Sequence, residues 1–206
     1  MSPPRGFRSK SLSRYSRTHV FFGVIAFGVV LAGAASSVGL RFNLTSSLPI
    51  GLYRITKDSP ILKRGAIVLY CLPPPVARFA HNRGYVPIGG QCPGGLTPIG
   101  KMVAALPGDT VVLTTDGITV NGALQSHSRA LATDLKGRGL PQLTRRAYVI
   151  GRDYVWLLAP SERSFDSRYL GPLVARNVLA RVQPVWIAAG RYTKAHNDYL
   201  TAGRRK

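Results

Sequence analysis

Acid is what this chain most lacks. Glutamate occurs once, at Glu162, and Asp and Glu together number 8 against 28 Lys and Arg, a formal net charge of +20 over 206 residues. Such an excess calls for an anionic partner, an anionic surrounding such as lipid, or a bias of composition with no specific role. The basic residues are scattered among apolar and glycine-rich segments rather than gathered in one run, which argues against a nucleic-acid binder. Histidine is also sparse: beyond the N-terminal region only His81, His127 and His196 occur, two in loop-like sequence and one in the tail. A Ser-His-Asp triad is therefore not the first expectation, although His is the usual base near neutral pH. Cysteine occurs twice, at Cys71 and Cys92, and without neighbouring histidines the pair makes a poor zinc site. No metal and no cofactor are expected, and no internal repeat is visible.

The first 18 residues carry Arg5, Arg8, Lys10, Arg14 and Arg17 with no acid, and "HVFFGVIAFGVVLAGAASSVGL" then runs from His19 to Leu40 without a charge. About 20 apolar residues match the hydrocarbon thickness of a bilayer, and the basic flank would stay cytoplasmic. A cleaved signal peptide competes, because "AGAAS" at 32–36 offers small residues suited to cleavage. The apolar character continuing past that point favours a retained anchor, and the one-sided basic flank speaks against a buried core helix. The expected organisation is a basic N-terminus (1–18), an anchor or signal segment (19–41), an exported domain (42–190) and a basic tail (191–206). Outside the cytoplasm Cys71 and Cys92 are expected to form a disulfide, the alternative being two buried thiols.

From Gly51 onward the chain reads as short strands. "GLYRIT", "GAIVLYC", "KMVAALP", "DTVVLTTDGITVNG", "YVWLLAP" and "VLARVQPVWI" are β-branched or aromatic runs bounded by Gly, Pro, Asn or Asp. The fold class expected is mainly β. Residues 73–100 break the rhythm, with a short helix expected around Val76 to Asn82 and a Pro/Gly-rich loop after it. Residues 126–147 read as a surface loop or insertion.

With no well-placed histidine, a lysine is the alternative base for a serine, provided that apolar neighbours lower its pKa. Lys101 opens "KMVAALPGD", whereas Lys57, Lys63, Lys136 and Lys194 keep polar or charged company. A lysine at a strand start is, on its own, usually just exposed. In "NLTSSLPIGLY", Ser47 precedes Pro49, which fixes φ, and Gly51, which permits a turn into a strand. Ser/Thr-rich sequence after an apolar run is, on its own, usually a linker.

"NLTSSLPIGLY", "KMVAALPGD" and "SFDSRYLGPL", in that order behind an apolar N-terminal segment, resemble the three boxes of type I signal peptidases, in the branch of conjugative transfer signal peptidases called TraF. The resemblance covers residues 36–188. It implies a signal-peptidase-like coiled β-sheet domain behind one N-terminal transmembrane or signal helix. It also implies a serine-lysine endopeptidase with Ser47 as nucleophile, Ser46 as the adjacent alternative, and Lys101 as general base. Ser164 would orient the lysine, and Thr45 would contribute to the oxyanion hole beside the Ser47 backbone N–H. Asp166 and Arg168 match a supporting pair, which also reads as a plain structural salt bridge. The implied substrate is a pilin precursor, cut or cyclised on the periplasmic side of the inner membrane. The implied partners are inner-membrane lipids and other mating-pair-formation proteins, with no nucleic acid. The chain departs from the general secretory enzymes in reading Ser-Leu-Pro for Ser-Met-x-Pro and "LAPSERSFDSRY" where they have Gly-Asp-Asn, so a general secretory role is not implied. The competing class is a non-catalytic, membrane-anchored basic scaffold or DNA-binding component, which explains the charge but not the three boxes.

Overall fold

The computed structural model describes residues 15–188 apart from 38, 46, 57–61 and 145. It divides into two units, Met1–Leu40 and Arg41–Lys206. The first contains helix α1, Tyr15–Ser37. Val20, Phe21, Phe22, Val24 and Phe27 stand exposed along it. Among the described residues no helix is long and apolar enough to cross a membrane. The described side chains of α1 are His19–Val30 and Gly33, and those at both helix ends, with the basic residues 1–14, lie outside the described residues.

The second unit is mainly β, as its alternating apolar runs require. Its strands and helices follow in order: β1 Leu40–Asn43, β2 Gly51–Thr56, β3 Ile67–Tyr70, α2 Pro74–Asn82, β4 Ile88–Cys92, β5 Ile99–Ala105, β6 Thr110–Leu113, β7 Ile118–Val120, β8 Ala123–Leu124, β9 Ala147–Val149, β10 Tyr154–Leu158, α3 Ser167–Leu170, β11 Leu173–Val174 and β12 Val178–Ile187. A seven-stranded sheet runs β1-β2-β12-β3-β5-β10-β11, and a four-stranded sheet runs β8-β7-β6-β9. The second sheet is the antiparallel hairpin set that "TTDGITVNG" prescribes, with Asn121 at φ 50° and Gly122 at φ 82° making one of its turns.

Strand β5 lies in the middle of the larger sheet, antiparallel to β3 on one side and β10 on the other. Both of its faces are covered, Met102 and Ala104 by one apolar cluster and Val103 by the other, so the run from Lys101 to Ala105 is buried throughout. An uninterrupted apolar stretch is what a strand covered on both faces needs. Lys101 is therefore not an exposed strand opener; the strand begins two residues earlier, at Ile99.

The long 71–92 excursion carries α2, amphipathic with Ala77 and Ala80 buried, which starts two residues before the expected Val76 and ends at Asn82 as expected. Its ends are closed by the Cys71–Cys92 disulfide, with Cα atoms 5.4 Å apart. The turn after β5 is held by Asp109, whose carboxylate accepts from the Leu106 N–H at 2.8 Å, from Asn121 Nδ2 at 2.9 Å and from Arg64 in a bidentate pair. These donors hold its carboxyl below the usual carboxylate range against the opposing effect of burial. The Pro-Gly-Asp ending of the second box thus has a structural role, locking the exit of the lysine strand.

Candidate active site

Ser47 stands in the turn between β1 and β2, not on a strand, and is partly buried. Two glycines let this turn approach the sheet. A Cβ on Gly51 would stand 2.2 Å from the Trp186 carbonyl oxygen, so β2 can pair with β12 there only as glycine. A Cβ on Gly100 would meet Leu48 Cδ1 at 2.7 Å, so the residue before Lys101 leaves the space that Leu48, next to Ser47, fills. Glycine is needed here for close approach rather than for a positive φ.

That seating brings the three boxes together. Lys101 Nζ donates to Ser47 Oγ at 3.1 Å and to Ser164 Oγ at 2.6 Å, with the lysine side chain fully buried. Burial lowers the Lys101 pKa from 10.5 to about 8; the nearby Asp166 carboxylate opposes this and the Arg168 guanidinium adds to it. A substantial neutral fraction near neutral pH, at hydrogen-bonding distance from a serine hydroxyl, is what a general base requires.

Ser164 belongs to the irregular turn between β10 and α3. The turn is fixed from beneath by Asp166 and Arg168, both fully buried. Asp166 caps α3 and accepts from the Arg168 N–H at 3.2 Å, from Arg168 Nε at 2.8 Å and Nη2 at 3.0 Å, and from the Ala159 N–H at 3.0 Å. Arg168 in turn donates to the carbonyls of His127, Glu162 and Ala159. The pair is a hub joining the end of β10, the Ser164 turn and the loop after β8, and its charges act on Lys101 through space.

Thr45 is exposed, and its Oγ1 donates to Asn43 Oδ1 at 2.7 Å. Ser46 lies outside the described residues, as does His196. His81 and His127 are exposed, His81 Nδ1 lies 3.0 Å from the Val86 carbonyl, and the side-chain partners of Lys101 Nζ are Ser47 and Ser164. Among the described residues no cluster of three or more His, Cys, Asp or Glu side chains could hold a metal ion.

Ser47 and Ser164 open onto a cleft of about 640 Å³. Its far wall is the segment 131–140, expected only as a surface loop. The segment folds back on itself through the Leu140 N–H to Ala132 carbonyl bond. It is fastened to the domain by Asp134, which accepts from Tyr85 Oη at 2.5 Å and pairs with Arg138 at 2.7 Å. Phe165, stacked between Phe79 and Tyr169, forms part of the floor. Nothing in the polar, aperiodic sequence of this loop pointed to the cleft; its one signal was the isolated acid Asp134 among basic residues.

The site thus has a buried lysine hydrogen-bonded to a serine at the edge of a cleft, and in comparison with known proteins residues 12–187 match the family described as "Signal peptidase, peptidase S26". The chain belongs to that family of peptidases. Within it, the chain is similar to the "Plasmid transfer protein TraF" of Escherichia coli, 38% identical over 181 residues, covering 84% of this chain and 98% of that protein. It is also similar to the "Conjugal transfer protein TraF" of Agrobacterium tumefaciens, 36% identical over 176 residues, covering 84% and 97% respectively. A crystal structure of a signal peptidase I from Enterococcus faecalis matches 58% of this chain and 95% of its own at 18% identity and a TM-score of 0.32, a likeness too loose to carry any argument.

Proposed function

We propose that this chain is a serine-lysine endopeptidase of plasmid transfer that processes the precursor of a conjugative pilin, with Ser47 as nucleophile and Lys101 as general base. The observation that carries the reading is the fully buried Lys101 amine, 3.1 Å from Ser47 Oγ and held by Ser164.

The neutral amine accepts the Ser47 proton as Oγ attacks the peptide carbonyl, and the resulting ammonium returns that proton to the leaving amine. Ser164 fixes the Nζ position by accepting one of its N–H bonds, which leaves the lone pair for Ser47. The Ser47 backbone N–H and the Thr45 hydroxyl serve the oxyanion; one such donor is worth about 10² to 10³ in rate. Water resolves the acyl-enzyme, or the substrate's own amino terminus does so and gives a cyclic product. Small residues before the cut suit a nucleophile turn lying close against the sheet.

The apolar sequence from His19 to Leu40, most of it in α1, where Val20, Phe21, Phe22, Val24 and Phe27 stand exposed, serves as a membrane anchor in this reading. It places the domain on the periplasmic side of the inner membrane, where Ser47 lies a few residues from the bilayer and meets a membrane-inserted precursor. Anionic lipid and other mating-pair-formation proteins are the surroundings to which the +20 charge is suited.

The test compares the candidate pilin by mass spectrometry from cells carrying the wild-type, Ser47→Ala or Lys101→Ala enzyme. Both variants are expected to leave the precursor uncut while the protein stays folded and in the membrane fraction. Normal processing by either one refutes the mechanism, and the product mass separates hydrolysis from cyclisation.

A further inference from the structure

Asn43 was no part of the expected machinery, yet its side chain is the centre of the turn that carries Ser47. It is the last residue of β1 and partly buried. Its Nδ2 donates to the carbonyls of Thr45 at 3.0 Å, Leu48 at 3.0 Å and Pro49 at 3.1 Å. A carboxamide has two N–H bonds, so at least one is shared between two of these carbonyls. One side chain thereby draws in the backbone on both sides of the nucleophile. The Pro49 carbonyl also accepts from the buried Tyr53 Oη at 2.7 Å, which ties the same turn to β2.

The other end of the carboxamide holds Thr45. Asn43 Oδ1 accepts from the Thr45 N–H at 3.3 Å and from Thr45 Oγ1 at 2.7 Å. A hydroxyl has one proton. While that proton points at Asn43, Thr45 has none to give to an oxyanion.

Resting on the serine-lysine reading, we infer that Asn43 is a positioning residue with two tasks: its amide fixes the backbone around Ser47, and its carbonyl keeps the Thr45 proton in standby until a tetrahedral oxyanion forms. The exchange runs in the right direction, because a hydrogen bond to a charged oxygen is roughly twice as strong as one to a neutral carbonyl. Rotation about the Thr45 Cβ–Oγ1 bond moves the proton, and Asn43 Oδ1 keeps the Thr45 N–H. No bond other than these hydrogen bonds changes.

The experiment uses the full chain in detergent micelles and an internally quenched peptide with alanine before the cut. Asn43→Ala is expected to lower kcat by about 10²-fold with KM changed less than threefold, as a displaced nucleophile requires. Asn43→Asp is expected to lose at least as much, since its carboxylate lacks the amide donors and holds the Thr45 proton more tightly. Thermal midpoints within a few degrees of wild type separate positioning from scaffolding. In a Thr45→Val background, Asn43→Ala is expected to cost at least threefold less than in the wild type, because the standby proton is already gone. Unchanged kcat, an effect on KM alone, full additivity with Thr45→Val, or loss of the fold in both Asn43 variants overturns the inference. Cleavage by Ser47→Ala in the same assay would instead overturn the serine-lysine reading on which it rests.

Discussion

The pH dependence of cleavage tests the buried amine most directly. Lys101 has its pKa lowered from 10.5 to about 8, chiefly by burial. At pH 7 about one amine in ten is then neutral, against about one in three thousand at 10.5, so the environment of β5 raises the population of neutral amine roughly 300-fold. The kcat/KM profile is expected to rise about tenfold per pH unit up to the neighbourhood of pH 8 and level off above it. Stability carries the same signature. Between about pH 8 and 10.5 the unfolded chain holds a proton on Lys101 that the folded chain has released, so folding becomes more favourable as pH rises through that window. Below the window the charged amine costs the folded state on the order of 3 kcal/mol, a cost removed by pH 10.5. Denaturant unfolding of the wild type and of Lys101→Met across pH 7 to 11 isolates the effect: the wild type should gain on the variant by that amount. An activity profile flat down to pH 6, an inflection near 10.5, or parallel stability curves for the two proteins would refute the reasoning.

Ser164→Ala removes an acceptor 2.6 Å from Lys101 Nζ and is expected to reduce kcat by about 10- to 100-fold with little change in KM, measured on the same quenched peptide. Asp166→Asn leaves the fully buried Arg168 guanidinium without its charged partner, which is expected to destabilise the fold by about 3 to 5 kcal/mol in denaturant titrations. Because the Asp166 charge raises the Lys101 pKa, the same variant, assayed at low temperature where it remains folded, is expected to move the acid limb of the activity profile to lower pH. Cys71→Ser with Cys92→Ser opens a loop of 21 residues and is expected to cost about 3 kcal/mol, seen as a lower melting midpoint with activity retained on ice.

Much of this molecule was legible because local chemistry and tertiary role coincide. The strand runs, the hairpins at Asp116-Gly117 and Asn121-Gly122, the helix near Val76 and the cysteine pair each follow from short-range preferences that the fold does not override. Ser47, Lys101 and Ser164 were singled out by the order of three boxes. Their convergence is now seen in distances, while Ser47 proves to stand in a turn and Ser164 outside any strand.

Asn43 and the 131–140 loop were missed for a common reason: hydrogen-bond partners of an asparagine and the seat of a polar loop leave no periodic trace in sequence. The burial of Lys101 shows the division most clearly. By itself the sequence determined that this lysine has apolar neighbours along the chain, that a disulfide pair was available, and that basic residues far outnumber acidic ones. Only the tertiary structure decided that β5 lies between β3 and β10 with both faces covered, because burial depends on neighbours across the sheet and not along the strand. The lowered pKa comes from that burial, and the reach to Ser47 and the charge of Asp166 come from residues 54 and 65 positions away, which the fold places beside the amine.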